Sequence, residues 1–422
     1  MTKSKNYRYT ELDNGLRIVS EYMPSVRTAS LGVWVESGSR CEKPGQEGMA
    51  HFWEHLAFKG TTTRSTHDIA LDLDILGGLS NAFTGRESTC FHIRVADKHF
   101  EKAFDITADL VLNPTPSDEE TAREKEVVLQ EISMMEETPE DKIHESFWEH
   151  IWDKPSLTHS ILGSPETVAA FDRQSLEAWR AENYLPSNML VSAAGAVDHD
   201  QLVAMAEKAF ANAPRGQRPP RPEHAGYLPS SIAIARDVEQ NHVILSFPAV
   251  GNTSPKRFIQ TVLSTVLGGN MSSRLFQEVR EKRGLAYSIY AHINGLSDVG
   301  ALQIQAAVDP ARTEELLQVL AAELDKLAAT GVSPEEYEHT REHLQGLLYL
   351  GSESTESRMM RLARNQILFG RHIPFEETAK NIQDVTREDI HALAAEILIP
   401  EHRGMALLGP DIKPEWTKII KP

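Results

Sequence analysis

Two histidines and a glutamate on one predicted helix are the residues in this sequence best suited to chemistry. His51, Glu54 and His55 lie in the segment from about Glu47 to Phe58, whose apolar spacing predicts a helix, with Gly60 as its C-cap. At about 100° per residue, the three side chains fall within an arc of about 100° on one face. Two imidazoles one turn apart can bind one metal ion, and the neighbouring carboxylate can reach a water bound to that ion.

The order His-x-x-Glu-His is the inverse of the commoner His-Glu-x-x-His zinc motif. A single histidine on a helix is more often structural or exposed than a ligand. Here Phe52, Leu56 and Phe58 surround two histidines and a glutamate on one face, which favours a metal site. Cys41 and Cys90 are the only cysteines, so a metal must be held by His, Asp or Glu.

An acidic helix, predicted from about Ser117 to Glu136, supplies candidates for the third protein ligand that zinc requires. Glu124 and Glu131 are seven residues apart, two turns along one face. An exposed acidic side chain is the ordinary interpretation of any one glutamate in such a helix. The spacing alone does not choose between Glu124, Glu126 and Glu131. The buried side of this helix is predicted to consist of Val127, Val128 and Ile132.

Strands and helices are mixed along the chain, and hairpins occur among them. Period-two alternation predicts strands at Tyr7 to Leu12, Leu16 to Glu21, Ala29 to Glu36 and Thr89 to Val95. A turn at Asp13 to Gly15 joins the first two strands, and a helix is predicted from about Lys98 to Leu112. This mixture favours an α+β fold over a doubly wound parallel sheet.

A proline-rich stretch near mid-chain, from Ala211 to Ser230, separates two segments with the same rhythm. Residues 91–132 and residues 302–348 each run strand, helix, proline-marked break and helix. The sequence therefore predicts two homologous domains from an internal duplication, each a mainly antiparallel sheet with helices packed on it. Their predicted bounds are 1–211 for a metal-binding catalytic domain, 212–230 for the linker and 231–422 for a second domain. Two unrelated domains of similar rhythm are the alternative.

The second copy lacks the residues that make the first a metal-site candidate. Leu347 stands fourteen residues after Ser333, as Glu131 stands fourteen after Ser117. The first predicted helix of the second copy, residues 258–269, contains neither His nor Glu. We therefore expect a metal in the first domain only.

The charge and composition of the chain limit the classes of partner that it can bind. The formal net charge is −18 over 422 residues, which argues against binding to nucleic acid or to an anionic membrane. The first twenty residues have no apolar core or cleavage signal typical of a secretory leader, and no stretch approaches the length of a membrane-spanning helix. We expect a cytoplasmic protein, although a processed organellar protein would have the same features.

The segment HFWEHLAFKGT, with Glu131 in VVLQEI 76 residues after His55, resembles the pitrilysin-type inverzincin zinc metallopeptidases. The similarity is greatest to the bacterial peptidases related to the β subunit of the mitochondrial processing peptidase. It implies one zinc ion per chain, with His51, His55 and Glu131 as ligands, Glu54 as general base and Glu124 as a supporting carboxylate. The local departure is Trp53, where the family more often has a smaller apolar residue.

Three further segments resemble the family. GGLSNAFTGREST resembles its edge strand, which implies that Asn81, Ala82 and Phe83 pair with an extended peptide. FQEVREKRGLAYS resembles its substrate-clamping motif and implies that Arg280 and Tyr287 bind substrate. Residues 351–371 resemble a frequent helical segment with no assigned role. Without the resemblance, Asn81 could be a turn residue, Arg280 part of a solvated helix and Tyr287 an ordinary strand aromatic.

The resemblance implies a zinc endopeptidase that encloses peptides or unfolded segments in a dimeric clamshell chamber. Both the metal motif and the clamp motif lie in one chain, which predicts an active homodimer. The negative charge of the chain suggests a preference for basic peptides. The alternatives are a non-catalytic core or assembly subunit of the same fold, a zinc subunit needing a different partner chain, and a zinc hydrolase acting on other bonds.

Overall fold

Residues 6–220 and 222–420 are described by a computed structural model of the chain. Residues 1–5 of the predicted first domain, Arg221 of the predicted linker and residues 421–422 of the predicted second domain lie outside the described residues. The chain forms two compact units. Unit 1 draws its described residues from Met1–Ile132, His159–Pro222 and Tyr349–Pro374, and unit 2 draws them from Ser133–Thr158, Glu223–Leu348 and Phe375–Pro422.

Eleven strands occur in the described part of the chain. They are β1 (Tyr7–Glu11), β2 (Arg17–Tyr22), β3 (Thr28–Val35), β4 (Leu79–Thr84), β5 (Thr89–Ala96), β6 (Met189–Gly195), β7 (Ser231–Ala235), β8 (Asn241–Val250), β9 (Ala286–Gly295), β10 (Val299–Val308) and β11 (Gly404–Gly409). The strands predicted near the N-terminus and at Thr89 to Val95 are confirmed within one residue at each end.

Sixteen α-helices accompany the strands within the same described residues. They are α1 (Met49–Ala57), α2 (Thr66–Leu76), α3 (Phe100–Leu112), α4 (Asp118–Glu137), α5 (Pro139–His150), α6 (Pro155–Thr158), α7 (Pro165–Ala170), α8 (Arg173–Asn183), α9 (His199–Ala209), α10 (Arg257–Gly268), α11 (Thr313–Thr330), α12 (Pro334–Ser352), α13 (Thr355–Phe369), α14 (Phe375–Gln383), α15 (Arg387–Ile397) and α16 (Thr417–Ile420). No helix of residues 6–220 or 222–420 is both long and apolar enough to cross a membrane.

Each unit contains one sheet, and the two sheets share a strand pattern. In unit 1 the order is β1-β2-β6-β3-β5-β4, with β2 and β6 parallel and the other neighbours antiparallel. In unit 2 the order is β7-β11-β8-β10-β9, with β7 and β11 parallel and the other neighbours antiparallel. Apart from the added β1, the two sheets have one topology. The predicted α+β fold with two similar, mainly antiparallel domains is confirmed.

The units differ from the predicted continuous domains because each contains a helix from a distant part of the chain. In unit 1, Met359 and Leu362 of α13 are buried with Val19 and Trp34 on one face of the sheet. In unit 2, α5 is buried against β8 and β11 in the same manner, and the residues involved include Ile143, Phe147, Ile244 and Leu408. Burial of these apolar faces decides the unit to which each helix belongs.

Two local predictions were inexact. Helix α1 ends at Ala57 with Phe58 as its C-cap, and Gly60 follows with a φ of +118° instead of capping the helix itself. Val127, predicted to face the core from α4, is 39% exposed, whereas Val128 and Ile132 are buried as expected. Position 127 lies about 100° around the helix from position 128, so both cannot occupy the centre of the same buried face.

Candidate metal centre

Helix α1 is fixed at its N-terminus by a buried carboxylate. Glu42 accepts hydrogen bonds from the backbone N–H groups of Gly48, at 2.9 Å, and Ala50, at 2.7 Å. A negative charge at this end of a helix is favourable because the unpaired N–H groups carry partial positive charge. His159 Nε2 lies 3.2 Å from the same carboxylate, and burial raises the pKa of Glu42. Neither Glu42 nor His159 was predicted from the sequence.

One face of α1 is anchored in the core, so its other face is held in a fixed orientation. Phe52, Trp53 and Leu56 are buried. The Trp53 ring contacts that of Tyr184 at a centroid distance of 6.4 Å, so the unusual residue at this position contributes to packing. His51, Glu54 and His55 are half-buried on the remaining face.

The two histidines meet a glutamate of α4. His51 Nε2 lies 3.7 Å from Glu131 Oε2, and His55 Nε2 lies 3.6 Å from the same oxygen. One ligand atom from each of the three residues falls within 4.8 Å of the others. Among residues 6–220 and 222–420, this is the one group of three or more His, Cys, Asp or Glu side chains arranged in this way.

The three residues fit a zinc ion. Zinc bonds of about 2.0–2.1 Å in a tetrahedral arrangement place ligand atoms about 3.4 Å apart, close to the separations of both histidines from Glu131. Two imidazoles and one carboxylate leave a fourth position for water. Burial, with a smaller contribution from His55, lowers the pKa of His51 to about 4, so this imidazole is neutral near pH 7 and its lone pair is free to bind a metal.

Glu124 contacts His55 but is not part of the group of three. Its Oε2 lies 3.2 Å from His55 Nδ1, and its Oε1 pairs with Lys59 Nζ at 2.7 Å. The side chain is buried. Glu126, the other candidate from the sequence, is exposed and is not part of the ligand group. The positions of the three glutamates are thus distinguished by geometry that the sequence alone did not provide.

Glu54, the predicted general base, has a partner that the sequence did not reveal. Thr84 Oγ1 donates a hydrogen bond of 2.5 Å to Glu54 Oε2. Burial raises the pKa of Glu54, and the hydrogen bond from Thr84 opposes that shift. Thr84 directly follows the Asn81-Ala82-Phe83 segment, and this adjacency was the signal available in the sequence.

The predicted peptide-binding segment lies on a strand with one free side. Asn81, Ala82 and Phe83 belong to β4, which forms one edge of the sheet of unit 1 and, among the described strands, pairs with β5 alone. Ala82 packs against the core, whereas Phe83 lies on the other face with its ring 5.6 Å from that of Trp34. The outer backbone groups of β4 are therefore available to an added strand.

Arg280 and Tyr287 belong to unit 2 and lie together there. Arg280 is in a π-helical segment at Phe276–Glu281, and Tyr287 is in β9, the edge strand of that sheet. The guanidinium carbon of Arg280 lies 4.7 Å from the centre of the Tyr287 ring, a cation–π contact. Tyr287 is 82% exposed, which leaves its hydroxyl available to a ligand.

Comparison with known proteins gives two family matches that cover most of the chain. Residues 17–164 match the model described as "Insulinase (Peptidase family M16)". Residues 170–344 match the model described as "Peptidase M16 inactive domain". The first match contains the candidate metal centre, and the second begins within unit 1 and continues through most of the copy that lacks it.

Relatives of similar length are found in several bacteria. An uncharacterized zinc protease of Mycobacterium tuberculosis is 40% identical over 408 residues, covering 96% of this chain and 93% of the relative. The uncharacterized zinc protease YmxG of Bacillus subtilis is 36% identical over 403 residues, covering 96% of this chain and 98% of the relative. The chain is thus similar over nearly its whole length to proteins named as zinc proteases.

Two solved structures share the fold. A protease from Helicobacter pylori has a TM-score of 0.88 at 20% identity, covering 96% of this chain and 99% of that chain. A peptidase M16 inactive domain from Pseudomonas fluorescens has a TM-score of 0.90 at 19% identity, covering 97% of this chain and 100% of that chain. At these identities the likeness supports the fold alone.

Proposed function

Because the chain belongs to the insulinase family, peptidase family M16, we propose that it is a zinc-dependent endopeptidase acting on peptides or unfolded segments of proteins. The observation that carries the proposal is the convergence of His51, His55 and Glu131 beside the carboxylate of Glu54. A ligand set of two histidines and one glutamate is that of hydrolytic zinc sites, and it leaves a position for water. Relatives named as zinc proteases support the same activity.

In this proposal Glu54 is the general base. The zinc ion, when bound, lowers the pKa of water toward about 7 and polarises the peptide carbonyl. Glu54 accepts a proton from the attacking water and passes it to the nitrogen of the departing amine. Burial raises the pKa of Glu54, which suits a carboxylate that must both accept and release a proton.

The peptide is proposed to bind as an added strand along β4. Asn81, Ala82 and Phe83 would pair with it through backbone hydrogen bonds, which accept many sequences because side chains are not read. Arg280 and Tyr287 are proposed to assist by donating hydrogen bonds to the peptide. Their cation–π contact brings a donor from the π-helical segment, Arg280, beside an exposed donor from the edge strand β9, Tyr287.

The active form is proposed to be a homodimer that encloses its substrate in a chamber. The metal ligands and the Arg280–Tyr287 pair occur in one chain, so a different subunit is not needed to complete the set. The net charge of −18 supports a preference for basic peptides. Cleavage rates that do not change with peptide charge at low ionic strength would remove this part of the proposal.

A quenched-fluorescence peptide library, assayed with and without a chelator and again after zinc add-back, tests the proposed activity. We expect cleavage that the chelator abolishes and zinc restores. Glu54→Gln should bind zinc like the wild type and cleave nothing, because an amide cannot accept the proton. Absence of cleavage by the zinc-loaded protein would favour a non-catalytic subunit or a requirement for another chain. Cleavage of esters without cleavage of peptides would indicate a different zinc hydrolase.

A further inference from the structure

The last residue of the edge strand touches the proposed general base. Thr84 ends β4, pairs with Thr89 of β5 and donates its 2.5 Å hydrogen bond to Glu54 Oε2. Within the described part of the chain, Glu54 Oε1 accepts no hydrogen bond. One carboxylate oxygen is therefore held by the strand while the other stays available.

The backbone around Thr84 is held in place on its far side. The turn after Thr84 is closed by a hydrogen bond of 2.8 Å from Gly85 N to Ser88 O. Ser39 N donates to Gly85 O at 3.2 Å, and Arg40 N donates to Arg86 O at 2.8 Å. Glycine is required at position 38, because a Cβ there would overlap the carbonyl oxygen of Gly85. Thr84 consequently has a fixed position relative to α1.

A glutamate needs such a partner to present one oxygen in one place. The terminal torsion of Glu is broad and roughly two-fold, so packing of the methylene groups does not set the plane of the carboxylate. Hydrogen bonds to an ionised carboxylate are roughly twice as strong as neutral ones and can set that plane. Among the described residues, Thr84 is the one that donates a hydrogen bond to the Glu54 carboxylate.

We infer that Thr84 is a positioning residue for catalysis, whose hydroxyl holds Glu54 Oε2 so that Oε1 faces the attacking water. This inference rests on the proposed peptidase function and extends it. Because Thr84 belongs to the strand proposed to bind the peptide, one element would hold both the substrate backbone and the base. A shift of the bound peptide that moves β4 would then also move the carboxylate of Glu54.

The test compares Thr84→Val with Thr84→Ser. Valine has nearly the shape of threonine and suits a strand, but it lacks the hydroxyl, whereas serine keeps it. We expect Thr84→Val to lower kcat by about 10- to 100-fold and to leave KM unchanged. This loss is part of the rate enhancement that a general base contributes. Thr84→Ser should recover most of the loss. Thr62→Val is the matched control, because Thr62 is exposed and its hydroxyl makes no hydrogen bond in the described residues, and its kcat should equal that of the wild type.

Two measurements that do not depend on turnover accompany the kinetics. Zinc content by elemental analysis, and the Kd of a labelled peptide for the metal-free protein, should be the same for wild type, Thr84→Val and Thr84→Ser. Equal kcat for Thr84→Val and wild type would overturn the positioning role of Thr84. An equal loss of kcat in Thr84→Val and Thr84→Ser would do the same. Either result would leave the proposed peptidase function standing. Loss of zinc or peptide binding in Thr84→Val would assign Thr84 a structural role instead. A zinc-loaded wild type without peptidase activity would overturn both this inference and the proposed function.

Discussion

Nδ1 of His55 lies 3.2 Å from Oε2 of Glu124, on the side of the imidazole opposite the Nε2 atom that faces Glu131. A carboxylate at Nδ1 favours the tautomer with its proton on that nitrogen, which leaves the Nε2 lone pair for a metal. Lys59 balances the charge of Glu124 at 2.7 Å. The contact predicts that the orientation of His55, a proposed ligand, is set by a residue outside the group of three.

We predict that Glu124→Gln weakens zinc binding by about 10- to 100-fold, the usual effect of losing such a supporting residue. The amide keeps the shape of the side chain but removes the negative charge beside Nδ1. Chelator competition measures the Kd. Glu126→Gln is the control on the same helix, because Glu126 is exposed and is not part of the ligand group. Equal zinc affinity in Glu124→Gln and wild type would contradict the supporting role.

If a peptide binds along β4 as an added strand, the effect of modifying its backbone N–H groups should alternate from one residue to the next. Alternate residues of an added strand hydrogen-bond to the edge strand, and N-methylation removes the donor. In a series of peptides that each carry one N-methyl group at a different position, we expect the Kd to be raised at every second position. Fluorescence anisotropy on the Glu54→Gln variant measures this without cleavage. Losses with no alternation along the peptide would argue against strand addition.

Helix α13 is predicted to stabilise the unit that it joins. Met359 is fully buried against one face of the unit 1 sheet, together with Trp34 and Leu190. Met359→Ala should lower the free energy of unfolding by about 2–5 kcal/mol, through lost burial and the cavity left behind. Urea denaturation measures the change. Met271→Ala, at a residue that is 71% exposed, should change stability by less than about 0.5 kcal/mol. A similar small effect at Met359 would contradict the observed packing.

Acidification is predicted to destabilise unit 2 through His144. Burial, followed by the neighbouring His292, lowers the pKa of His144 from its ordinary value of 6.5 to about 4, and Gln305 Nε2 lies 3.2 Å from its Nδ1. The unfolded chain therefore takes up the proton first, and stability is lost as pH falls from about 6.5 toward about 4. The loss amounts to at most about 3 kcal/mol.

His144→Gln removes this titration while keeping an acceptor for Gln305. The variant should lose less stability than the wild type between pH 7 and pH 4.5, as measured by urea denaturation at each pH. His67→Gln, at an exposed histidine, should follow the wild type. If His144→Gln and wild type lose stability in parallel, His144 is not the group responsible.

The parts of the site that could be predicted are those fixed by local spacing. His51, Glu54 and His55 are within five residues of one another, so helical geometry alone places them on one face. The proposed third ligand could not be chosen by the same reasoning, because Glu124 and Glu131 share a face of α4. Their different roles depend on where that face meets α1, which is a long-range contact.

In the fold, too, the features that depend on local sequence could be predicted, and those that depend on long-range contacts could not. The matching order of strand and helix in the two halves predicted a duplication, and the two sheets have that common topology. The membership of α13 in unit 1 and of α5 in unit 2 could not be predicted, because each covers a sheet whose strands are far away in sequence. The bond from Thr84 to Glu54 likewise joins residues thirty positions apart on two different elements.

The zinc content of Glu131→Ala tests the central claim most directly. Both the wild type and the control Glu126→Ala, purified and loaded with zinc in the same way, should contain about one zinc ion per chain by elemental analysis. Glu131→Ala should contain almost none after dialysis, because two histidines alone hold zinc weakly. Stoichiometric zinc in Glu131→Ala, or its absence from the loaded wild type, would contradict a metal centre built from His51, His55 and Glu131.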